Sequence, residues 1–247
     1  MITGNYRGGL GNQLFQVATG YALALDNNDT YCINFNNHKE IGQIGHGIKN
    51  YKKNIFKDFI ETDTQNINVY DGRSYVNYEP IPYSSNLLID GYFQSEKYFS
   101  KYKQQLIEKF GFIDITKIPN VCTIHIRLTD YLSPCNHMFN ICNRQYYINS
   151  IEHIRSVNPN TKFRMISDDI PMAKNILNGY DVDGLVSDDV QGLRYLAESQ
   201  YCILSNSSFS WWGSYLGNVQ LSTAPYKWNK DYQVDDVYRS DMIKIYY

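Results

Sequence analysis

The chain has no long apolar run. Nowhere in its 247 residues do enough hydrophobic residues follow one another to form a membrane-crossing helix or the core of a secretory leader. The opening MITGNYRGGLGNQLF shows neither pattern, and a soluble, cytoplasmic protein with no transmembrane segment is the expectation. A disulfide framework is also missing. The five cysteines, Cys32, Cys122, Cys135, Cys142 and Cys202, are odd in number and irregular in spacing, so free thiols are expected. Cys135, His137 and Cys142 lie close in sequence but lack the paired short spacings of a zinc site and a clear fourth ligand. Excess charge is absent as well. The formal net charge is −2, which excludes a nucleic-acid binder of the usual basic kind. It leaves room for a local phosphate site, which needs only one or two arginines. There are no internal repeats, no low-complexity tail, no GxGxxG fingerprint and no P-loop lysine.

Hydrophobic residues make up 43% of the chain, enough for a real core, and tyrosine is heavily used at 23 positions. Aromatic rings suit carbohydrate ligands, since the C–H face of a sugar packs on them, but half-buried core tyrosines account for such a count equally well.

Short apolar strands alternate with helical patterns, which predicts an α/β fold with a mostly parallel sheet. ITGNY predicts a strand and RGGLG a turn. A helix is expected from Asn12 to about Leu25, with Leu14, Val17, Ala18, Tyr21, Ala22 and Leu25 on its apolar stripe. YCINF and Leu87–Asp90 predict strands, and 98–110 a helix. Residues 36–86 are weakly periodic. GFIDITKIPN resembles a linker punctuated by Pro119. Beyond it the rhythm is regular. Strands are expected at VCTIHIR, KFRMIS, GLVSD and YCILS, with VQLSTAP as the last. Helices are expected over 144–157, PMAKNIL, 190–200 and SFSWWGSYLG. Two α/β lobes follow, 1–115 and 116–247.

Ligands of such sheets bind beyond the carboxyl ends of strands, where loops meet helix starts. Three stretches fall there. In VCTIHIRLTDYL the period of two sends His125 and Arg127 to one face and Ile124 and Ile126 to the other. A guanidinium at that end can hold a diphosphate by parallel hydrogen bonds, or form an ordinary salt bridge with an aspartate. In MISDDIPMAK, Asp168 and Asp169 precede a Pro-initiated helix. They can accept from a nucleobase or ribose, cap the helix, or bind a metal. Asp181-Val182-Asp183 matches the short aspartate-x-aspartate pattern of metal-dependent glycosyltransferases. In YCILSNSSFSWWGSYLG a strand runs through Ser205-Asn206-Ser207-Ser208 into a helix whose first N–H groups suit a phosphate. Trp211 and Trp212 are expected in the core. The N-terminal Gly8, Gly9 and Gly11 let the backbone approach a ligand closely.

GGLGNQLFQ at 8–16, GYFQSEKYF at 91–99, HIRLTDY at 125–131, ISDD at 166–169, SNSSFSWWGSYL at 205–216 and the TAP-YKW stretch at 223–228 occur in this order. Together they resemble the α-1,2-fucosyltransferases of glycosyltransferase family 11. The resemblance covers nearly the whole chain, least clearly at 36–86. It implies a GT-B-like fold of two Rossmann-type lobes with a cleft between them, acceptor-side over 1–115 and nucleotide-sugar-binding over 116–247. It implies GDP-β-L-fucose as donor, a glycan acceptor, inversion at the anomeric carbon and no metal cofactor. Arg127 matches the arginine that binds the donor's β-phosphate. Gly9, Asn12, His125, Asp168, Asp169, Ser207, Ser208 and Phe209 would bind donor. Asp130 is a candidate base or an orienter of Arg127, with Glu96 and Asp90 as further candidate bases. The family's second arginine is Leu128 here, which leaves room for another nucleotide-linked 6-deoxyhexose. The rival readings are a non-catalytic nucleotide- or carbohydrate-binding module, and a metal-dependent transferase using Asp181 or Asp183.

Overall fold

In the computed structural model, which describes residues 1–39, 47–73, 77–133, 138–139 and 141–247, the chain divides into two compact units. One comprises Met1–Ile113 with Asp235–Tyr238, the other Asp114–Val234 with Arg239–Tyr247. The sequence placed the change after residue 115 and gave the second lobe one continuous stretch. Instead, Asp235–Tyr238 groups with the first unit, where Asp236 accepts from the Tyr78 backbone and pairs with Lys97 at 2.5 Å. Cys135 and His137 lie outside the described residues.

The first unit opens with β1 (Ile2–Gly4) and β2 (Tyr6–Arg7), which feed α1 (Leu10–Asp26). Leu14, Val17, Ala18 and Ala22 are fully buried, as the apolar spacing requires, while Tyr21 and Leu25 are half-buried. Gln13, Gln16 and Thr19 are buried too, so the helix is enclosed on more than one face. Asn27 and Asn28 end it, Asn28 in a left-handed conformation at φ 51°. Then come β3 (Cys32–Ile33), β4 (His38–Lys39), β5 (Ile60–Glu61), β6 (Asn68–Asp71), β7 (Leu87–Asp90) and α2 (Lys103–Lys109). Strands β1, β7 and β6 form a parallel sheet in that order. The helix expected over 98–110 is shorter, because single turns at Glu96–Tyr98 and Ser100–Tyr102 precede α2.

The second unit contains β8 (Ile118–Ile126), α3 (Arg144–Val157), β9 (Lys162–Ser167), α4 (Ile170–Ile176), β10 (Val182–Leu185), α5 (Asp189–Glu198), β11 (Ser199–Ile203), α6 (Ser208–Gly217), β12 (Leu221–Pro225) and β13 (Met242–Ile245). Two expectations need correction. Pro119 lies inside β8 rather than in a linker, near its exposed start, where a missing N–H does least harm. VQLSTAP is not the last strand, since β13 pairs beyond β12.

The sheet order is β10-β9-β8-β11-β12-β13, all parallel. Counted in chain order this is 3-2-1-4-5-6, the doubly wound arrangement, which reverses between β8 and β11. Alternation along β8 fixes its faces. Cys122, Ile124 and Ile126 join the core with Tyr146, Tyr147 and Ile151 of α3. Thr123 and His125 turn to the other face, where Thr123 Oγ1 donates to the Tyr195 carbonyl of α5. There α5 and α6 pack very closely: a Cβ on Gly217 would lie 2.3 Å from the Ala197 carbonyl oxygen, and one on Gly213 2.5 Å from Leu196 Cβ. Trp211 and Trp212 are fully buried. Among the described residues no helix is long and apolar enough to cross a membrane.

Candidate functional site

The chemistry-bearing residues of the second unit gather where its strand order reverses. β8 delivers His125 and then Arg127 to its carboxyl end, and β11 delivers Ser205 to the neighbouring one. His125 Nδ1 and Ser205 Oγ are 2.7 Å apart, which ties the two strand ends together. The imidazole is 5% exposed and lies beside the Phe209 ring, centroids 5.3 Å apart. Burial, with the Arg127 charge in support, drives its pKa from 6.5 down to about 3, against a weaker opposite pull from Asp168. His125 is therefore neutral at physiological pH.

Arg127 lies just past the strand, its side chain 23% exposed. Its Nε donates to Asp130 Oδ1 at 2.7 Å, and its Nη1 lies 3.4 Å from Asp168 Oδ2. Burial alone would lower its pKa, but the Asp130 hydrogen bond and the Asp168 charge raise it overall, so it stays a cation. Among the described residues its Nη2 makes no hydrogen bond. The guanidinium thus has two anchored nitrogens and one remaining to donate.

Asp168 is turned toward the chain that follows Arg127. Its carboxylate accepts from Leu128 N at 2.9 Å, Thr129 N at 3.1 Å and Thr129 Oγ1 at 2.5 Å. Burial opposes its ionisation, but Arg127 and these donors together hold its pKa below the usual carboxylate value. Its acceptor positions are largely taken up within the chain, which leaves little for a nucleobase. Asp169 stands at the start of α4 and accepts from Met172 N at 3.0 Å, a helix cap. Leu128 is 5% exposed and belongs to the α3-side core.

The loop into α6 completes the edge. Ser207 Oγ accepts from Phe209 N at 3.3 Å, and Ser208 opens the helix. Asn206 anchors this loop. Its Nδ2 donates to the carbonyls of Phe139 and Trp228, and its own carbonyl accepts from the Tyr131 hydroxyl at 3.0 Å. Ser205, Thr129 and Asn206 carry this geometry but were not singled out as ligand residues from the sequence. Their partners lie 22 to 80 residues away, where local pattern holds no signal.

Most of the remaining candidates belong to the first unit. Gly9 precedes α1, which starts with no side-chain cap and no acidic residue in its first turn. Asn12 Oδ1 accepts from Gln94 Nε2 at 2.8 Å. Asp90 is buried and ion-paired with Arg7, with Asn5 donating to its other oxygen at 2.8 Å. That pairing makes it a poor candidate base. Glu96 begins a single turn capped by Ser95. Asp181 and Asp183 bracket the start of β10 on exposed positions, and among the described residues no three His, Cys, Asp or Glu side chains gather.

An alpha-1,2-colitosyltransferase of Escherichia coli is 29% identical over 271 aligned residues, covering 92% of each chain. Distant structural likeness extends to the fucosyltransferase NodZ from Bradyrhizobium, with TM-score 0.49, 10% identity, and 90% and 93% of the two chains covered. The E. coli heptosyltransferase WaaC gives TM-score 0.48 at 8% identity, covering 99% and 92%. The model of the family described as Glycosyl transferase family 11 matches residues 1–245, and the chain belongs to that family.

Proposed function

We propose that this glycosyltransferase moves L-fucose from GDP-β-L-fucose to a glycan hydroxyl, with inversion and formation of an α-1,2 linkage. The observation that carries the reading is Arg127, a permanent cation anchored by Nε and Nη1 at the strand-order reversal with its Nη2 left to donate. The acceptor oxygen attacks the anomeric carbon as the bond from that carbon to the diphosphate oxygen breaks. The acceptor's proton is lost, and GDP departs with the bonding electrons. Negative charge grows on the diphosphate during this step. Arg127 and the N–H group opening α6 at Ser208 stabilise it, and most strongly in the transition state. His125, being neutral, contributes hydrogen bonding without charge. Asp130 holds the guanidinium by its Nε, which favours an orienting role over that of base. In this reading no metal is required, because the leaving group's charge is met by these groups.

A second donor deserves equal testing. Colitose is L-fucose without its 3-hydroxyl, and the E. coli relative is named for it. Its name also supports the α-1,2 linkage.

The decisive experiment is a thermal-shift screen of GDP, UDP, ADP and dTDP, followed by transfer assays with GDP-fucose and GDP-colitose, each with and without chelator. Stabilisation by GDP alone supports the reading. Stabilisation by UDP alone overturns the donor, and loss of transfer with chelator overturns the metal-free mechanism. Binding of GDP with no transfer to a broad acceptor panel would make the chain a binding module.

A further inference from the structure

The segment after β7 serves the loop before α1, and one side chain transmits this. Phe93 sits in a left-handed conformation at φ 51°, a region that bulky side chains seldom occupy and that concentrates at functional sites. Directly after it the chain folds on itself, Ser95 N donating to the Phe93 carbonyl at 2.8 Å with Gln94 at the apex. Ser95 Oγ then accepts from Lys97 N at 3.2 Å. The backbone of Gln94 is thus fixed from both sides, and its Nε2 donates to Asn12 Oδ1 at 2.8 Å.

The same two segments are joined by further links. Asn5 N donates to the Ile89 carbonyl at 2.9 Å, Asn5 Nδ2 donates to Asp90 at 2.8 Å, and buried Arg7 pairs with Asp90. Residues 5–12 and 89–94 therefore form one polar seam. At its end the Asn12 amide is gripped between Gln94 and Gly8. Gly8 has φ +71°, and a Cβ there would lie 2.4 Å from Asn12 Nδ2. With Oδ1 occupied by Gln94, Nδ2 keeps both its hydrogens and has no partner among the described residues. Beside it, α1 begins without a capping side chain.

We infer that Gln94 is a positioning residue for the transfer reaction. It locks the Asn12 amide with its oxygen inward, so that two N–H donors are presented to an oxygen of the nucleotide sugar. This rests on the reading above that Asn12 binds donor. An amide free to turn would offer its oxygen to that ligand oxygen part of the time, and that contact is repulsive.

The test is a double-mutant cycle on the full chain, read by GDP affinity and by KM and kcat for the nucleotide sugar. Gln94→Leu should raise the donor KM by about tenfold, the worth of one ordinary hydrogen bond, with little change in kcat or melting temperature. Gln94→Glu keeps the shape but attracts Nδ2, turning the amide oxygen outward, and should raise KM further. In the Asn12→Ala background, Gln94→Leu should add nothing. Losses that multiply across the cycle would overturn the positioning role alone. An Asn12→Ala variant with unchanged GDP affinity and KM would overturn the donor-binding reading of Asn12, and the role of Gln94 with it. A Gln94→Glu enzyme with native KM would also overturn the inference, and it stays informative if the leucine variant does not fold.

Discussion

His125 and Ser205 share a hydrogen bond of 2.7 Å across the point where the second unit's strand order reverses. The bond joins two strand ends that are distant in sequence, and it holds a neutral imidazole beside the Arg127 cation. Burial is the main reason for that neutrality, and the resulting pKa of about 3 is linked to stability. The unfolded histidine, at its ordinary 6.5, takes up a proton that the folded one refuses. Stability is therefore complete above about pH 6.5 and falls as pH drops from there toward 3. Asp168, whose folded pKa is depressed, works in the same direction, losing its contribution as pH falls through that value. In His125→Asn the amide can replace Nδ1 toward Ser205 but cannot titrate. The slope of melting temperature between pH 7 and pH 4 should flatten in this variant, and an unchanged slope would show that His125 is not the group responsible.

Arg127→Ala should fold and should lose on the order of 10²–10³ in turnover, the usual cost of removing one transition-state donor. Arg127→Lys should recover little of it. A lysine cannot span Asp130 and Asp168 while still offering a third N–H in a fixed plane. Initial rates with GDP-fucose decide this, and near-native turnover in a folded alanine variant removes Arg127 as phosphate anchor.

Asp168→Ala should lower kcat/KM without changing the order of preference among GDP, UDP and ADP. Its carboxylate supports the turn at Leu128 and Thr129 and the guanidinium of Arg127. Competition binding with the three nucleotides checks this, and a relaxed base preference would instead make Asp168 a base reader.

Leu128→Arg restores the arginine that the family pattern carries, yet it should not improve the enzyme. Leu128 is buried in the α3-side core, where an uncompensated charge costs about 3–5 kcal/mol. Denaturant unfolding should show the loss directly. A variant of native stability would mean that the side chain reaches solvent or a ligand.

Gly217→Ala should destabilise the second unit by about 1–3 kcal/mol through overpacking, since the added methyl meets the Ala197 backbone rather than a movable side chain. Thermal unfolding measures it, and an effect near zero would indicate that α5 and α6 can separate without cost.

The local elements of the second unit were legible because their signals are local. Strand alternation in VCTIHIR sent Ile124 and Ile126 to one face and His125 to the other, as the core and the His125–Ser205 bond show. The Asp169-Ile170-Pro171 start of α4 and the serines before α6 marked helix starts, and both Asp169 and Ser207 cap them. Short segments whose pairing is set elsewhere were harder. VQLSTAP passed for the final strand because MIKI is short and its pairing to β12 lies 20 residues back along the chain. Pro119 passed for a linker because nothing local shows that β8 continues through it.

Sequence by itself thus determined the α/β class, the faces of the strands and which residues reach the strand ends. Periodicity and capping are properties of neighbours along the chain. Tertiary structure alone decided what those residues do for one another. It joined His125 to Ser205, gave the Asp168 carboxylate to the turn after Arg127, and set Gln94 against Asn12. Arg127 was visible as a residue at a strand end. Its anchoring by two carboxylates, with one nitrogen that has no partner among the described residues, came from packing together segments that are 3 and 41 residues apart.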